Sequence, residues 1–213
     1  MTPLRLTYSS LSPSFRGTSI GSRRGRMPYT YGTDEWEQAY QQVTAQRQAD
    51  ESKPYWMGTP EWLMLYEKIV QGDAAYKEAA KTWEGSVVIH ILAKPEIGLD
   101  EDLYMYMDLW HGACNFMRLV PAEKGSAGDF VITGDYERWK SVMAAELDPV
   151  KGMMQGKLKL KGDLPTIVRA VRAAQRLVEL VGEVPTKFPD EVSADELAEF
   201  KSTVGALRSD FGI

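Results

Sequence analysis

Residues 103–120 constrain this chain more than any other stretch. Leu103, Met105, Met107 and Leu109 alternate with Tyr104, Tyr106, Asp108 and Trp110, the period-two pattern of a half-buried strand. His111-Gly112 then offers a two-residue turn, and residues 113–120 return as a second strand. In that register Trp110 faces Ala113, Leu109 faces Cys114, Asp108 faces Asn115 and Met107 faces Phe116. An isolated hairpin is marginal in water, so the remaining chain must supply more strands and a cover for the apolar face.

The sequence supplies both. Val87-Val88-Ile89-His90-Ile91-Leu92 is a β-branched run that reads as a strand buried on both faces. Residues 129–133 make a fourth strand. Lys157-Leu158-Lys159-Leu160-Lys161 makes a fifth, with lysines that suit a sheet edge. Helix starts recur around them. Tyr31-Gly32-Thr33-Asp34-Glu35-Trp36 is echoed by Met57-Gly58-Thr59-Pro60-Glu61-Trp62, each threonine placed as an N-cap. Asp73, Asp135 and Asp148 open further helices. Asp163 opens a long one reaching residue 181, with Ile167, Val171, Ala174, Val178 and Val181 inward. Ser193 with Glu196 is a capping box for a last helix carrying Leu197, Phe200, Val204, Leu207 and Phe211. The expected fold class is α+β: a five-stranded, mostly antiparallel sheet covered by helices, with extra helices at both ends. Residues 1–26 read as a disordered or mis-called leader and 27–56 as a helical arm. Residues 57–184 form the binding domain, and 185–213 carry the amphipathic terminal helix.

Composition narrows the function. With 213 residues, 44% hydrophobic and 26% charged, the chain has material for a real core. A formal charge of −5 argues against a nucleic-acid partner, and setting aside Arg5, Arg16, Arg23, Arg24 and Arg26 leaves the rest more acidic still. The early arginines and serines also fit a mitochondrial-type leader, but Met27 is the simpler start. A lone cysteine, Cys114, fits a reducing, cytoplasmic setting, and with only two histidines no metal site or cofactor is expected.

One string is more specific than a periodicity. Glu146-Leu147-Asp148-Pro149, then Met153-Met154-Gln155-Gly156-Lys157-Leu158-Lys159-Leu160-Lys161-Gly162-Asp163-Leu164, resembles the carboxy-terminal signature of the sterol carrier protein 2 family. The likeness extends over residues 60–182 and is greatest to prokaryotic members, through Gly58-Thr59-Pro60-Glu61-Trp62 and Trp110-His111-Gly112-Ala113-Cys114. The resemblance implies an intracellular fold with an apolar tunnel that takes sterols, fatty acids or acyl-CoA without transforming them. The segment after Pro185 has no counterpart in the family core, and the carboxy-terminal Ser-Lys-Leu address of peroxisomal members is absent.

Ten methionines and six tryptophans suit a pocket that accepts apolar chains of varied shape. Trp110, Phe116, Met143, Leu147, Met154, Leu158 and Leu160 are the expected ligand contacts. Arg169, Arg172 and Arg176, with Lys157, Lys159 and Lys161, form a candidate docking stripe for an anionic membrane surface or CoA phosphates. The terminal helices are candidate arms for a protein partner. An enzymatic alternative uses His111, Asp108 or His90 as acid/base on a hydrophobic or CoA-linked substrate. A Cys114–His111–Asp108 set would need the three within hydrogen-bond reach, which the pleat does not favour.

Overall fold

A computed structural model describes residues 29–50 and 53–213. The expected leader, residues 1–26, lies outside the described residues.

The central sheet contains β2 (Glu84–Ile91), β3 (Leu103–Trp110), β4 (Ala113–Leu119), β5 (Phe130–Gly134) and β6 (Lys159–Lys161). Its order is β4-β3-β2-β5-β6, with β2 and β5 parallel and every other pair antiparallel. β2 therefore sits at the centre, as its β-branched run requires, and the lysines of β6 sit on an edge. His111 (φ 47°) and Gly112 (φ 80°) both take positive φ, which is a type I′ turn. A side chain at position 112 would also strike Lys77 O, 2.4 Å from the Cβ position, so glycine is required twice over.

The hairpin departs from simple pairing in one place. Trp110 faces Ala113 and Leu109 faces Cys114, but a bulge then sets Asp108 opposite Phe116 and Met107 opposite Met117. Asn115 is the extra residue, and its amide donates to Asp108 Oδ1 at 3.2 Å.

One face of the sheet is covered by α2 (Pro60–Gly72), α3 (Ala74–Ala79), α5 (Tyr136–Met143), α6 (Pro149–Met154), α7 (Leu164–Arg169) and α8 (Val171–Val181). The last two replace the single long helix expected after Asp163. At Ala170 (φ −96°, ψ 19°) the N–H is shared between the carbonyls of Thr166 and Ile167, a tighter turn that redirects the axis. Asp73, Asp135, Asp148 and Asp163 all cap as expected. Thr33 Oγ1 accepts from Trp36 N, whereas the Thr59 hydroxyl donates to Trp56 O, so Pro60 alone marks that start. The opposite face carries a small cluster of Val88, Tyr106, Val120 and Val131, partly roofed by α4 (Ala122–Ser126).

The ends of the chain close the remaining side. In α1 (Asp34–Asp50), Trp36 Nε1 donates to Phe211 O at 3.1 Å in α9 (Ala194–Phe211), whose capping box is formed. β1 (Tyr55–Trp56) pairs in parallel with β7 (Thr186–Lys187). Phe200, Val204 and Leu207 of α9 are buried together with Leu99 and Leu103, at the far end of the sheet from the hairpin turn. The exposed edge of β4 is sealed by side chains. Leu119 N–H donates to the Tyr40 hydroxyl (3.0 Å), Met117 N–H donates to Glu67 (2.7 Å), and Gln71 donates to Cys114 O (2.9 Å).

Candidate functional site

Between the sheet and its helical cover lies a cavity of about 140 Å³. Its position follows from strand parity. Val87, Ile89 and Ile91 of β2 share a pleat face with Met107 and Leu109 of β3 and Ile132 of β5, and these form its floor. Trp62 and Tyr66 of α2 close one side, and Trp139, Val142 and Met143 of α5 another. Ala173, Ala174, Leu177 and Val178 of α8 form the roof, with Met153 and Ile167 at its margin. No lining side chain is charged.

The aromatic walls are pinned by their polar tips. Trp62 Nε1 donates to Thr186 Oγ1 (2.8 Å), Trp83 Nε1 to Gly85 O (2.8 Å) and Trp139 Nε1 to His90 O (3.1 Å). The Tyr66 hydroxyl donates to Leu177 O at 2.8 Å. Each polar atom is satisfied by the protein and so leaves the ring face for the cavity. Tyr76, 1% exposed, also lines it. Burial raises the pKa of both phenols, so both are neutral hydroxyls.

Of the residues read from sequence as ligand contacts, Met143 borders this cavity and the other six do not. Trp110 is 49% exposed, since its even position in β3 turns it from the floor. Phe116 stacks on Tyr106 beneath Arg118 on the opposite face. Met154, the last residue of α6, is 67% exposed. Leu147 is half-buried at the surface beside Glu146 and Lys157. Leu158 is a core plug wedged against Gly134 and Gly152, and Leu160 is half-buried opposite Ile132 in β6. The residues that form the wall were legible in part: the set Met105, Met107, Leu109 is one parity class of the alternation. Tyr76 and Trp83 were legible as the apolar stripe of a helix opened by Asp73, but nothing local marked them as cavity wall.

The acid/base candidates are dispersed. His90 projects from the far face, where Nδ1 meets Thr133 Oγ1 (2.9 Å), Nε2 meets Asp102 (2.8 Å) and Tyr104 stacks on the ring. His111 lies in the exposed turn between Lys81 O and Glu84. Burial pushes the Cys114 thiol up to about 12, and no hydrogen bond joins it to His111. None of these borders the cavity. Among the described residues no His/Cys/Asp/Glu group could hold a metal ion, and no helix is long and apolar enough to cross a membrane. Of the arginine stripe, Arg176 is tied to Asp73 (2.8 Å) and Glu179 (2.6 Å), while Arg169 and Arg172 remain exposed.

An apolar chamber between a β4-β3-β2-β5-β6 sheet and its helices agrees with the comparison to known families: the SCP-2 sterol transfer family matches residues 66–175. The chain belongs to this family. Two solved structures are similar over most of their own length. A sterol carrier protein 2 is 36% identical, covering 58% of this chain and 95% of its own, with a TM-score of 0.54. A Thermus thermophilus protein described as possibly a sterol carrier protein is 34% identical, covering 64% of this chain and 94% of its own, with a TM-score of 0.57. No curated protein sequence matches the chain. In both structural matches the uncovered part of this chain is substantial, and the family match leaves out α1 and α9.

Proposed function

We propose that the chain is a cytoplasmic binding or carrier module for a hydrophobic, lipid-like ligand held in the cavity between sheet and helices. The observation that carries this reading is the uncharged lining of a chamber of about 140 Å³. Such a space gains about 0.8 kcal/mol for each methylene it removes from water, and its lining carries no carboxylate, imidazole, amine or thiol for chemistry. Family membership supports the same reading. The separation of Asp108, His90 and His111 from the cavity speaks against the enzymatic alternative. Met143 is the one ligand contact named from sequence that this reading retains.

Native mass spectrometry of protein purified without detergent, followed by solvent extraction, tests the proposal. A bound species of lipid mass that disappears on denaturation is expected. Finding no such species, together with no uptake of the uncharged dye Nile red, would sink it.

A further inference from the structure

Among the described residues, every aromatic polar atom on the cavity wall but one has a hydrogen-bond partner. The indoles of Trp62, Trp83 and Trp139 and the Tyr66 hydroxyl are all engaged as described. The Tyr76 hydroxyl makes no hydrogen bond to the described residues, although Tyr76 N–H is held by Asp73. Nor is this hydroxyl sealed in protein: among the described residues, only Arg208 Nε is both fully buried and unpartnered. A side chain 1% exposed that lines a cavity has that cavity as the open space before it. An unpaired buried hydroxyl is unfavourable, so the fold keeps a polar point that a ligand can satisfy.

We propose that Tyr76 is the polar anchor of this cavity and that its ligand is an uncharged lipid bearing one hydroxyl or carbonyl oxygen at the buried end. The inference rests on reading the cavity as the ligand site. It goes further in excluding ionised head groups from the interior. An ion there would be desolvated with no cation on the lining, and Arg176 on the roofing helix is already engaged by Asp73 and Glu179. A hydroxyl or carbonyl needs only the single hydrogen bond that Tyr76 offers. Fatty-acid carboxylates and CoA phosphates would have to stay outside.

The test is displacement of Nile red from wild type and Tyr76→Phe by 1-decanol, undecane and decanoate at pH 8. In the variant, 1-decanol should weaken roughly 5-fold, the worth of one hydrogen bond, while undecane stays unchanged. In wild type, decanoate should need at least roughly 10-fold more ligand than 1-decanol. Equal effects on 1-decanol and undecane, or none on either, would overturn the anchor and leave the cavity reading standing. So would decanoate binding as tightly as 1-decanol. No displacement by any of the three would overturn the cavity reading and the anchor with it. Should Tyr76→Phe fail to fold, the comparison of 1-decanol with decanoate on wild type decides alone.

Discussion

Filling the cavity should make the protein more stable and less able to bind. Ala173, 5% exposed on α8, contributes to the roof, and leucine there keeps a strong helix former while adding three carbons to the space. A void of about 140 Å³ costs about 3 kcal/mol at roughly 24 cal/mol per Å³. Three carbons at about 0.8 kcal/mol each recover about 2 kcal/mol of that if they meet no strain. For a chain of this size that corresponds to a rise in Tm of about 4–8 °C. Calorimetry of delipidated wild type and Ala173→Leu reads the first effect, and Nile red titration reads the second. The expected pair is a higher Tm with dye affinity reduced at least roughly 10-fold, the sign of a space kept open for function at the expense of stability. A lower Tm would mean that the roof is already full and the addition overpacks it by about 1–3 kcal/mol. A higher Tm with dye binding unchanged would place the ligand elsewhere. Either result refutes the reasoning.

Other parts of the structure make independent predictions. Glu61 is fully buried beneath Arg47, which donates to it from Nε (2.9 Å) and Nη2 (3.0 Å), joining α2 to α1. Arg47→Met should therefore lose about 3 kcal/mol in urea denaturation, and adding Glu61→Leu should restore much of it. Hydrogen bonds from Arg176 and from Tyr76 N–H hold the Asp73 carboxyl down to about 2 from 3.8, so its stabilising contribution is present above pH 4 and lost as pH falls towards 2. Urea curves of wild type and Asp73→Asn should accordingly differ at pH 7 and converge near pH 2; a constant gap would refute the linkage. The Cys114 thiol, raised to about 12 by burial, should resist iodoacetamide for hours at pH 7.5 in the native protein and react within minutes in urea.

The sheet was legible because each strand carries its own signal: the β-branched run of β2, the alternation of β3, the turn at His111-Gly112, the lysines of β6. The helix starts were legible for the same local reason, through Asp73, Asp135, Asp148 and Asp163. What escaped depends on partners distant in sequence. Nothing between Val168 and Val171 is a helix breaker, so the bend at Ala170 could not be read from propensity. The bulge at Asn115 needs the opposing Asp108 to be seen. Most residues expected as ligand contacts lie away from this cavity for a more instructive reason: they were chosen by residue type rather than by strand parity. Trp110 is large and apolar, but position 110 belongs to the same parity class as Tyr104 and Tyr106, which lie on the far face.

The identity of the wall residues bears on why the cavity exists at all. A chamber walled only by leucine and methionine could relax inward, because those side chains have many rotamers and no polar tether. Here the large wall residues are rings with few rotamers, and each indole is fixed at its nitrogen: Trp62 to Thr186 near the carboxy-terminal segment, Trp83 to Gly85 at the start of β2, Trp139 to His90 at the sheet centre. Tyr66 is tied to Leu177 on the roof itself. Collapse would have to break these bonds and leave buried N–H or O–H groups unpaired, at about 1–3 kcal/mol each. Losing all four costs about 4–12 kcal/mol, more than the roughly 3 kcal/mol that closing the void would recover. The hydrogen bonds therefore win, and the space persists without a ligand to hold it open. Within that set of fixed rings Tyr76 is the exception, and its hydroxyl, unpartnered among the described residues, gives an otherwise uniform apolar chamber a direction.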